Sequence, residues 1–396
     1  MIPEALFQSP RPTAVRRRIC FVAAIEMQVE AYLLEHLRAL SAGYDVSVIV
    51  NTADPSFLRR AGVPAAVFPL AIARKPSPAR DLAALARLTL LFRRERFDAV
   101  HSITPKPGLL AMLASRVAGV PVRIHSFTGQ PWATRTGATR RMLRCADRVL
   151  AGAATHVLVD SRSQREFLLR EGVVSPEKAR VLAGGSICGV DAARYRPDGQ
   201  WRADVRGRHG IPPSAVLFLF LGRLNRDKGV LDLGRAFALL CERRDDAHLM
   251  LVGPDEEALR PRILELCGSH AAKVHFEDYT REPQRYMAAA DVFCLPSYRE
   301  GFGSTIIEAA AAEVPALATR IYGITDAVEE GVTGLLFPPG DAEALSAAMG
   351  RLAGDGDLRR TLGRQARNRT LQKFSRDRVV DAMVDHYRSL WNPAGG

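Results

Sequence analysis

The sequence predicts an α/β protein of two Rossmann-like, doubly wound domains facing each other across a cleft. Three observations carry that prediction. A chain of 396 residues is longer than one hydrophobic core usually fills, about 250–300 residues. Short continuous apolar runs alternate with amphipathic stretches of helical period, and the alternation occurs twice. Turn formers and prolines collect near mid-chain, from Gly189-Val190-Asp191 to Arg196-Pro197-Asp198-Gly199. The division that follows is residues 1–195 and 196–374, with a last segment, 375–396, free to pack back on the first domain.

In the first half, Ile19–Ile25, Val46–Val50, Ala65–Leu70, Ala99–Ser102, Val122–Ser126 and His156–Val159 read as strands. They are apolar on both faces, as strands of a parallel sheet covered by helices must be. Val29–Leu40, Arg80–Arg94, Leu109–Val117, Ala138–Leu150 and Ser163–Arg170 read as the intervening helices. The second half repeats the rhythm. Its strands are Val216–Leu221, His248–Val252, Lys273–Phe276, Val292–Leu295 and Ala316–Ala318. Its helices are Val230–Cys241, Glu256–Cys267, Pro283–Ala290, Ser304–Ala312 and Ala342–Ala353, and Asp377–Trp391 closes the chain as a further helix. In such sheets ligands bind beyond the carboxyl ends of the strands.

Composition narrows the function classes. The chain is 47% hydrophobic and 25% charged, ordinary for a folded soluble protein. No apolar run reaches the roughly 18 residues that cross a bilayer. Arg16, Arg17 and Arg18 precede a strand rather than the apolar core of a secretory signal, so a cytoplasmic location is expected. Six cysteines without a CxxC spacing argue against a zinc site or a disulfide framework. The net charge of +12 is concentrated in residues 1–195, which hold 28 Lys and Arg against 15 Asp and Glu. Nucleic acid, an anionic membrane surface or a phosphorylated substrate would each suit that excess. No RNA-binding motif, zinc finger or basic zipper is present, so nucleic acid is not expected as a partner. Plain solubility of an arginine-rich chain is the other reading.

Two segments carry chemistry. Leu221-Gly222-Arg223-Leu224-Asn225-Arg226-Asp227-Lys228-Gly229 runs from a strand into a helix start. Glycine admits close backbone approach, Arg offers a planar fork to phosphate oxygens, Lys a point charge, and the helix N-terminus a positive dipole. That constellation suits a diphosphate, or else it is a surface turn with solvated charges. Pro296-Ser297-Tyr298-Arg299-Glu300-Gly301-Phe302-Gly303-Ser304-Thr305-Ile306-Ile307-Glu308 again links strand to helix. Glu300 lies in the loop, where a carboxylate can accept bonds from sugar hydroxyls. Glu308 lies on the helix among Ile306, Ile307, Ala309, Ala310 and Ala311, where a charge needs a partner or a ligand.

Gly222-Arg223-Leu224 with Lys228-Gly229, the turn Val252-Gly253, the Glu300/Glu308 pair flanking Gly-Phe-Gly, and Gly331-Val332-Thr333-Gly334-Leu335-Leu336 resemble the retaining glycosyltransferases of family 4. The resemblance covers about residues 215–340. It implies the GT-B fold and a hexosyl- or N-acetylhexosaminyltransferase without a cofactor beyond its nucleotide-sugar donor, the nucleotide being UDP. It implies that Arg223 and Lys228 hold the donor diphosphate, Glu308 the ribose and Glu300 the transferred sugar. Gly222, Gly253 and the backbone around Phe302, Gly303 and Ser304 would contact sugar and phosphate. It implies no metal, and neither half offers an Asp-x-Asp pair at a strand end.

The first half is expected to bind the acceptor. Val100 to Gly108 and His125 to Thr134 both leave predicted strand ends as polar loops. There Lys106 would meet an acceptor phosphate, and Trp132 would stack on a sugar or sit at a lipid boundary. These loops and Gly185-Ser186-Ile187-Cys188-Gly189-Val190-Asp191 resemble the branch of the family that extends undecaprenyl-diphosphate-linked sugars in bacterial O-antigen, capsule or protein-glycan assembly. That resemblance implies a lipid-linked saccharide acceptor and a place at the inner face of the cytoplasmic membrane. There are two departures. The loop Ala23-Ala24-Ile25-Glu26-Met27 lacks the family's glycines. The position of the family's sugar-contacting His falls on Phe127, leaving His125, two residues earlier, as the expected catalytic contact beside Thr128, with His101 behind it. A core histidine bonded to backbone is the alternative for both. Arg135, Arg140, Arg141, Arg144 and Arg148 on or beside one predicted helix offer an anionic membrane a basic face, or are simply solvated. Two other functions fit the architecture: a non-catalytic nucleotide-sugar-binding subunit, and a sugar-nucleotide epimerase, which would lack the Arg, Lys and two Glu arrangement.

Overall fold

The computed structural model describes residues 16–72 and 77–391. Thirteen strands are described. In the first half they are β1 (Arg18–Ile25), β2 (Asp45–Asn51), β3 (Ala66–Pro69), β4 (Ala99–Ser102), β5 (Val122–Phe127), β6 (His156–Val159) and β7 (Ala179–Val181). In the second they are β8 (Val216–Leu221), β9 (Ala247–Val252), β10 (Val274–Glu277), β11 (Val292–Leu295), β12 (Ala316–Thr319) and β13 (Gly334–Phe337). They form two sheets, in the order β3-β2-β1-β4-β5-β6-β7 and β10-β9-β8-β11-β12-β13. The paired strands run parallel; β1 lies between β2 and β4, and β8 between β9 and β11. The strand order therefore reverses at β1 and at β8, and a crevice forms beyond their carboxyl ends.

The packing follows from strands that are apolar on both faces. On one side of the first sheet, helices Pro78–Glu95, Pro105–Val117 and Gly137–Ala153 bury Leu88, Phe92, Met112 and Leu150. On the other side, Val29, Leu37, Leu58 and Tyr387 are buried. The second sheet has one core around Phe218, Phe220, Phe237 and Phe293. Each such aromatic contributes about 1.5–3 kcal/mol relative to exposure.

Several local expectations shift. The predicted helix Val29–Leu40 is two helices, Glu26–Tyr32 and Leu34–Leu40, and the first begins directly at the end of β1. Strand leads to helix there with only Ile25 as an extended cap, so no glycine-rich loop intervenes. Helices Gly199–Arg208 and Gly356–Lys373 carry too little apolar periodicity to be read from the sequence. The first is capped by Asp198, which accepts from Trp201 N, and Arg202 and Arg206 pin it to Asp291. The second is capped by Asp355, which accepts from Leu358 N at 2.8 Å.

The chain crosses between domains twice. Val190 N donates to Phe374 O and Arg376 N to Val190 O, both at 2.9 Å, which holds the two crossing segments side by side. Beyond them, helix Arg376–Trp391 lies on the first domain, with Met383 and Tyr387 in its core. The Tyr387 hydroxyl bonds His101 Nδ1 at 2.9 Å. Residues 1–15 of the first domain, residues 73–76 and residues 392–396 of the last segment lie outside the described residues.

The domains also touch where β5 and β6 end. A side chain on Gly301 would place its Cβ 2.7 Å from the Thr128 carbonyl and 2.8 Å from Asp160 Oδ2, so only glycine permits this approach. Ser161 Oγ donates to Gly301 O at 3.0 Å. The Asp326 carboxylate accepts from the backbone N–H of Arg162 and of Ser163, each at 3.1 Å, at the N-terminus of helix Arg162–Arg170, where an anion is stabilised.

Candidate active site

Between the carboxyl ends of the two sheets lies a cleft of about 2060 Å³. Its second-domain wall starts where β8 ends. Gly222 and Arg223 leave the strand, and Asn225 then accepts a bond from Lys228 N at 3.1 Å, shaping the turn into helix Val230–Cys241. The loop after β9 presses against this one. A Cβ on Gly253, whose φ is +138°, would lie 2.0 Å from Gly222 O, which leaves no room for any side chain. Two backbone loops are thus brought side by side under the cleft.

The cations of this wall are held by acids. Arg223 Nη1 donates to both Glu256 oxygens, at 2.9 and 3.1 Å, and Asn225 Nδ2 to the same carboxylate at 3.0 Å. Lys228 Nζ meets Glu300 Oε1 at 2.5 Å. Arg299 is fixed by Asp227 at 2.9 Å. A ligand diphosphate arriving here would exchange one set of anions for another, so the cations need not be stripped bare of partners first.

Glu308 faces the cleft from helix Ser304–Ala311. Burial pushes its carboxyl up to about 7, and a bond from the Tyr195 hydroxyl partly opposes that rise. Asp160, at the end of β6 and against Gly301, is pushed up to about 8 by burial. Glu308 lines the cleft, whereas Asp160 is buried beside it where the domains meet.

Arg223, Lys228, Glu300, Glu308, Gly222, Gly253, Lys106 and Thr128 all line this one cleft. Lys106 comes from the first domain, where it pairs with Asp81 at 2.7 Å. The side chain of Phe302 turns inward against Phe374, ring centroids 5.1 Å apart, and Gly303 and Ser304 lie behind Thr305, which reaches the cleft. His125 does not face the cleft. Its ring is buried, bonded to Ser102 Oγ at 2.8 Å and packed on Gly108, because β5 is an inner strand with a helix over that face. Burial lowers it to about 3, which keeps it neutral. His101 is likewise buried, between Tyr387 and Ser126. Trp132, expected at a sugar or lipid boundary, is fully buried; its Nε1 donates to Asp147 at 2.7 Å and its ring stacks on Phe167. Of the five arginines near it, Arg140 and Arg144 hold Glu171, and Arg148 donates to the Glu171 and Gly172 carbonyls. Arg135 and Arg141 remain exposed.

Sequence reasoning missed Glu256, Asp160 and the arginines Arg80 and Arg87, which line the first-domain side, and met Tyr195 only as part of the boundary pattern after Gly189-Val190-Asp191, without a role. Glu256 stands three residues beyond Gly253, at a strand end where the doubly wound rule would have placed a ligand group. For the others no local signal exists.

Residues 202–369 match the family described as Glycosyl transferases group 1, and residues 29–185 match the Glycosyl transferase 4-like domain. The chain is 27% identical to the Capsular polysaccharide biosynthesis glycosyltransferase CapM of Staphylococcus aureus, over 80% of this chain and 83% of that protein. It is 32% identical to the D-inositol 3-phosphate glycosyltransferase of Saccharomonospora viridis, over 74% of this chain and 70% of that one. It is 24% identical to the UDP-Gal:alpha-D-GlcNAc-diphosphoundecaprenol alpha-1,3-galactosyltransferase of Escherichia coli, over 87% and 89% of the two chains. Among solved structures, Anabaena HepE in complex with UDP and glucose superposes with a TM-score of 0.77 at 19% identity, over 94% of this chain and 100% of that one. The two sheets and their cleft are the GT-B fold of such enzymes.

Proposed function

Because this chain belongs to the group 1 glycosyl transferases and is a glycosyltransferase, we propose that it moves a sugar, with retention and without a metal, from a UDP-sugar to a lipid-linked saccharide in bacterial surface glycan synthesis. The observation that carries the reading is the second-domain wall. Two cations, Arg223 and Lys228, follow the carboxyl end of β8, and two carboxylates, Glu300 on Lys228 and Glu308 on the next helix, line the same cleft.

The chemistry follows from charge. As the bond from the sugar to the nucleoside diphosphate breaks, negative charge grows on the leaving phosphate, and fixed donors aimed there lower the barrier. Arg223 supplies a fork and Lys228 a point charge. Glu300, released from Lys228 by the diphosphate, is free to accept from hydroxyls of the transferred sugar. Glu308 in its ionised form accepts from the ribose hydroxyls. The acceptor hydroxyl attacks the face that the diphosphate leaves, and a phosphate oxygen takes its proton. No protein base is needed, which agrees with His125 being buried and neutral.

Three facts support the donor and acceptor classes. UDP is named with HepE, and a UDP-sugar and a diphosphoundecaprenol acceptor are named for the Escherichia coli relative. The positive charge of residues 1–195 suits the inner, anionic face of the cytoplasmic membrane as the place of action. Among the described residues no helix is long and apolar enough to cross a membrane, so the association would be peripheral.

Thermal stability with UDP, GDP and ADP tests the donor site. A ligand at about 100 times its dissociation constant stabilises by about 2.7 kcal/mol. UDP should give that shift, and Arg223→Ala/Lys228→Ala should lose it. A shift that survives in the double variant would place the nucleotide elsewhere. Binding of UDP without product on any lipid-linked acceptor would favour a non-catalytic subunit.

A further inference from the structure

We propose that helix Pro78–Glu95 carries the acceptor's diphosphate subsite, formed by Arg80 and Arg87. The inference rests on the lipid-linked acceptor reading above and names the side chains that would receive its headgroup. Arg80, Ala83, Ala84 and Arg87 all line the cleft from this helix. Spacings of three, four and seven put them in one stripe, and seven residues separate the two guanidinium stems by about 10 Å along the axis. The two alanines between them leave room for a ligand against the helix backbone.

The two arginines differ from the other cations beside them. Among the described residues, Arg60, Arg80, Arg87 and Lys106 reach the cleft from the helices and loops around the first sheet, and Arg194 and Arg376 from the segments that cross between the domains. Arg60 is paired with Asp54, and Lys106 with Asp81. Arg80 and Arg87 have no acidic partner among the described residues. An anion with several oxygens, bound by forked donors, is the ligand chemistry that satisfies two such guanidiniums.

A second observation gives the anion a tail. On the stripe next to these arginines, Leu82, Ala86 and Leu90 recur every fourth residue and face solvent, Leu82 and Leu90 being 68% and 66% exposed. Together they give this helix an exposed apolar stripe beside its two arginines. Ile25, Met27 and Ile72 also line the cleft. A diphosphate joined to a long isoprenoid would use both stripes at once, the headgroup on Arg80 and Arg87 and the chain along Leu82 and Leu90. Its sugar would then extend past Lys106 and Thr128 toward Glu300.

Titration of the full chain with farnesyl diphosphate tests this, with UDP held at saturation so that the donor site is filled. Wild type should bind. Arg80→Ala/Arg87→Ala should weaken binding by at least about tenfold, since each charge-assisted bond lost is of that order. UDP affinity, titrated separately, should be the same in both, which also shows that the variant folds. Leu82→Ser/Leu90→Ser should weaken farnesyl diphosphate and leave inorganic pyrophosphate unchanged. Farnesyl diphosphate binding that survives loss of both arginines would overturn the subsite. Pyrophosphate bound as tightly as farnesyl diphosphate would overturn the lipid assignment. Failure of UDP to bind wild type would count against the donor reading instead, so the two failures are distinguishable.

Discussion

In the proposed ribose-binding role, Glu308 would couple protonation to ligand binding. Its carboxyl is raised to about 7 by burial, so in the empty cleft it is protonated through much of the mildly acidic range. The raised value means that the folded chain holds this proton more tightly than the unfolded one. Its contribution to stability is full below the ordinary carboxylate range and is lost as pH rises through about 7. Binding in that role would run the other way, because two ribose hydroxyls would need the ionised acceptor. UDP-sugar affinity should therefore fall by up to about fivefold between pH 7 and 6 in wild type, and Glu308→Gln should bind more weakly and without that slope. A UDP-sugar is the right probe, since its diphosphate does not titrate there. Calorimetric titration across pH 5.5 to 8 checks it, and a flat wild-type profile would remove Glu308 from ribose recognition. Its partner Tyr195 was not legible in advance: the residue lies at the end of the domain boundary, and only folding brings its hydroxyl to the helix Ser304–Ala311.

Helix Arg376–Trp391 is the element whose role depends most on the fold. Its apolar stripe was visible as a 3.6-residue period, but a period states which face is buried, not which surface buries it. The structure lays it on the first domain, where Tyr387 reaches His101 across 286 positions of sequence. That bond satisfies a buried imidazole nitrogen, so Tyr387→Phe should destabilise the chain by about 1–3 kcal/mol, read as the change in denaturant midpoint. UDP-induced stabilisation should persist, because the donor wall lies in the other domain. No change in midpoint would mean that the nitrogen finds another partner. The basic helix Gly137–Ala153 teaches the same lesson. Its arginines were legible, but Glu171 and the carbonyls that engage three of them arrive only in three dimensions.

At the scale of the whole molecule, two domains meet along a narrow contact and leave a wide cleft open beside it. Asp326, bound to the start of helix Arg162–Arg170, and Gly301, pressed on Thr128, form that contact. Phe167 stacked on Tyr322 and the Ser163 hydroxyl bonded to Asp326 add to it, and motion of the two domains about this contact is the expectation for an interface within one chain. Saturating UDP should draw Arg223 and Lys228 toward the first domain and reduce the radius of gyration measured by X-ray scattering. An unchanged scattering curve would mean that the cleft is already in its working geometry. Asp326→Ala should lower turnover while leaving UDP affinity alone, because the residue acts on how the domains meet and touches no part of the donor wall.

The sequence by itself determined the two parallel sheets, the cleft between their carboxyl ends and the presence of Gly222, Arg223, Lys228, Glu300 and Glu308 along it. All of these are local features: apolar runs set the strands, and the groups that follow each strand end must face the crevice. The tertiary structure alone decided which side chains at those ends stay exposed. It buried His125 and His101, because an inner strand of a sheet covered on both faces has no open side, and it folded the loop residue Trp132 inward onto Phe167 and Asp147. It paired Arg223 with Glu256, set Asp160 against Gly301, and turned Arg80 and Arg87 of one helix into the cleft. Those are contacts between segments far apart in the chain, and a periodic pattern fixes the orientation of each element without naming its neighbour.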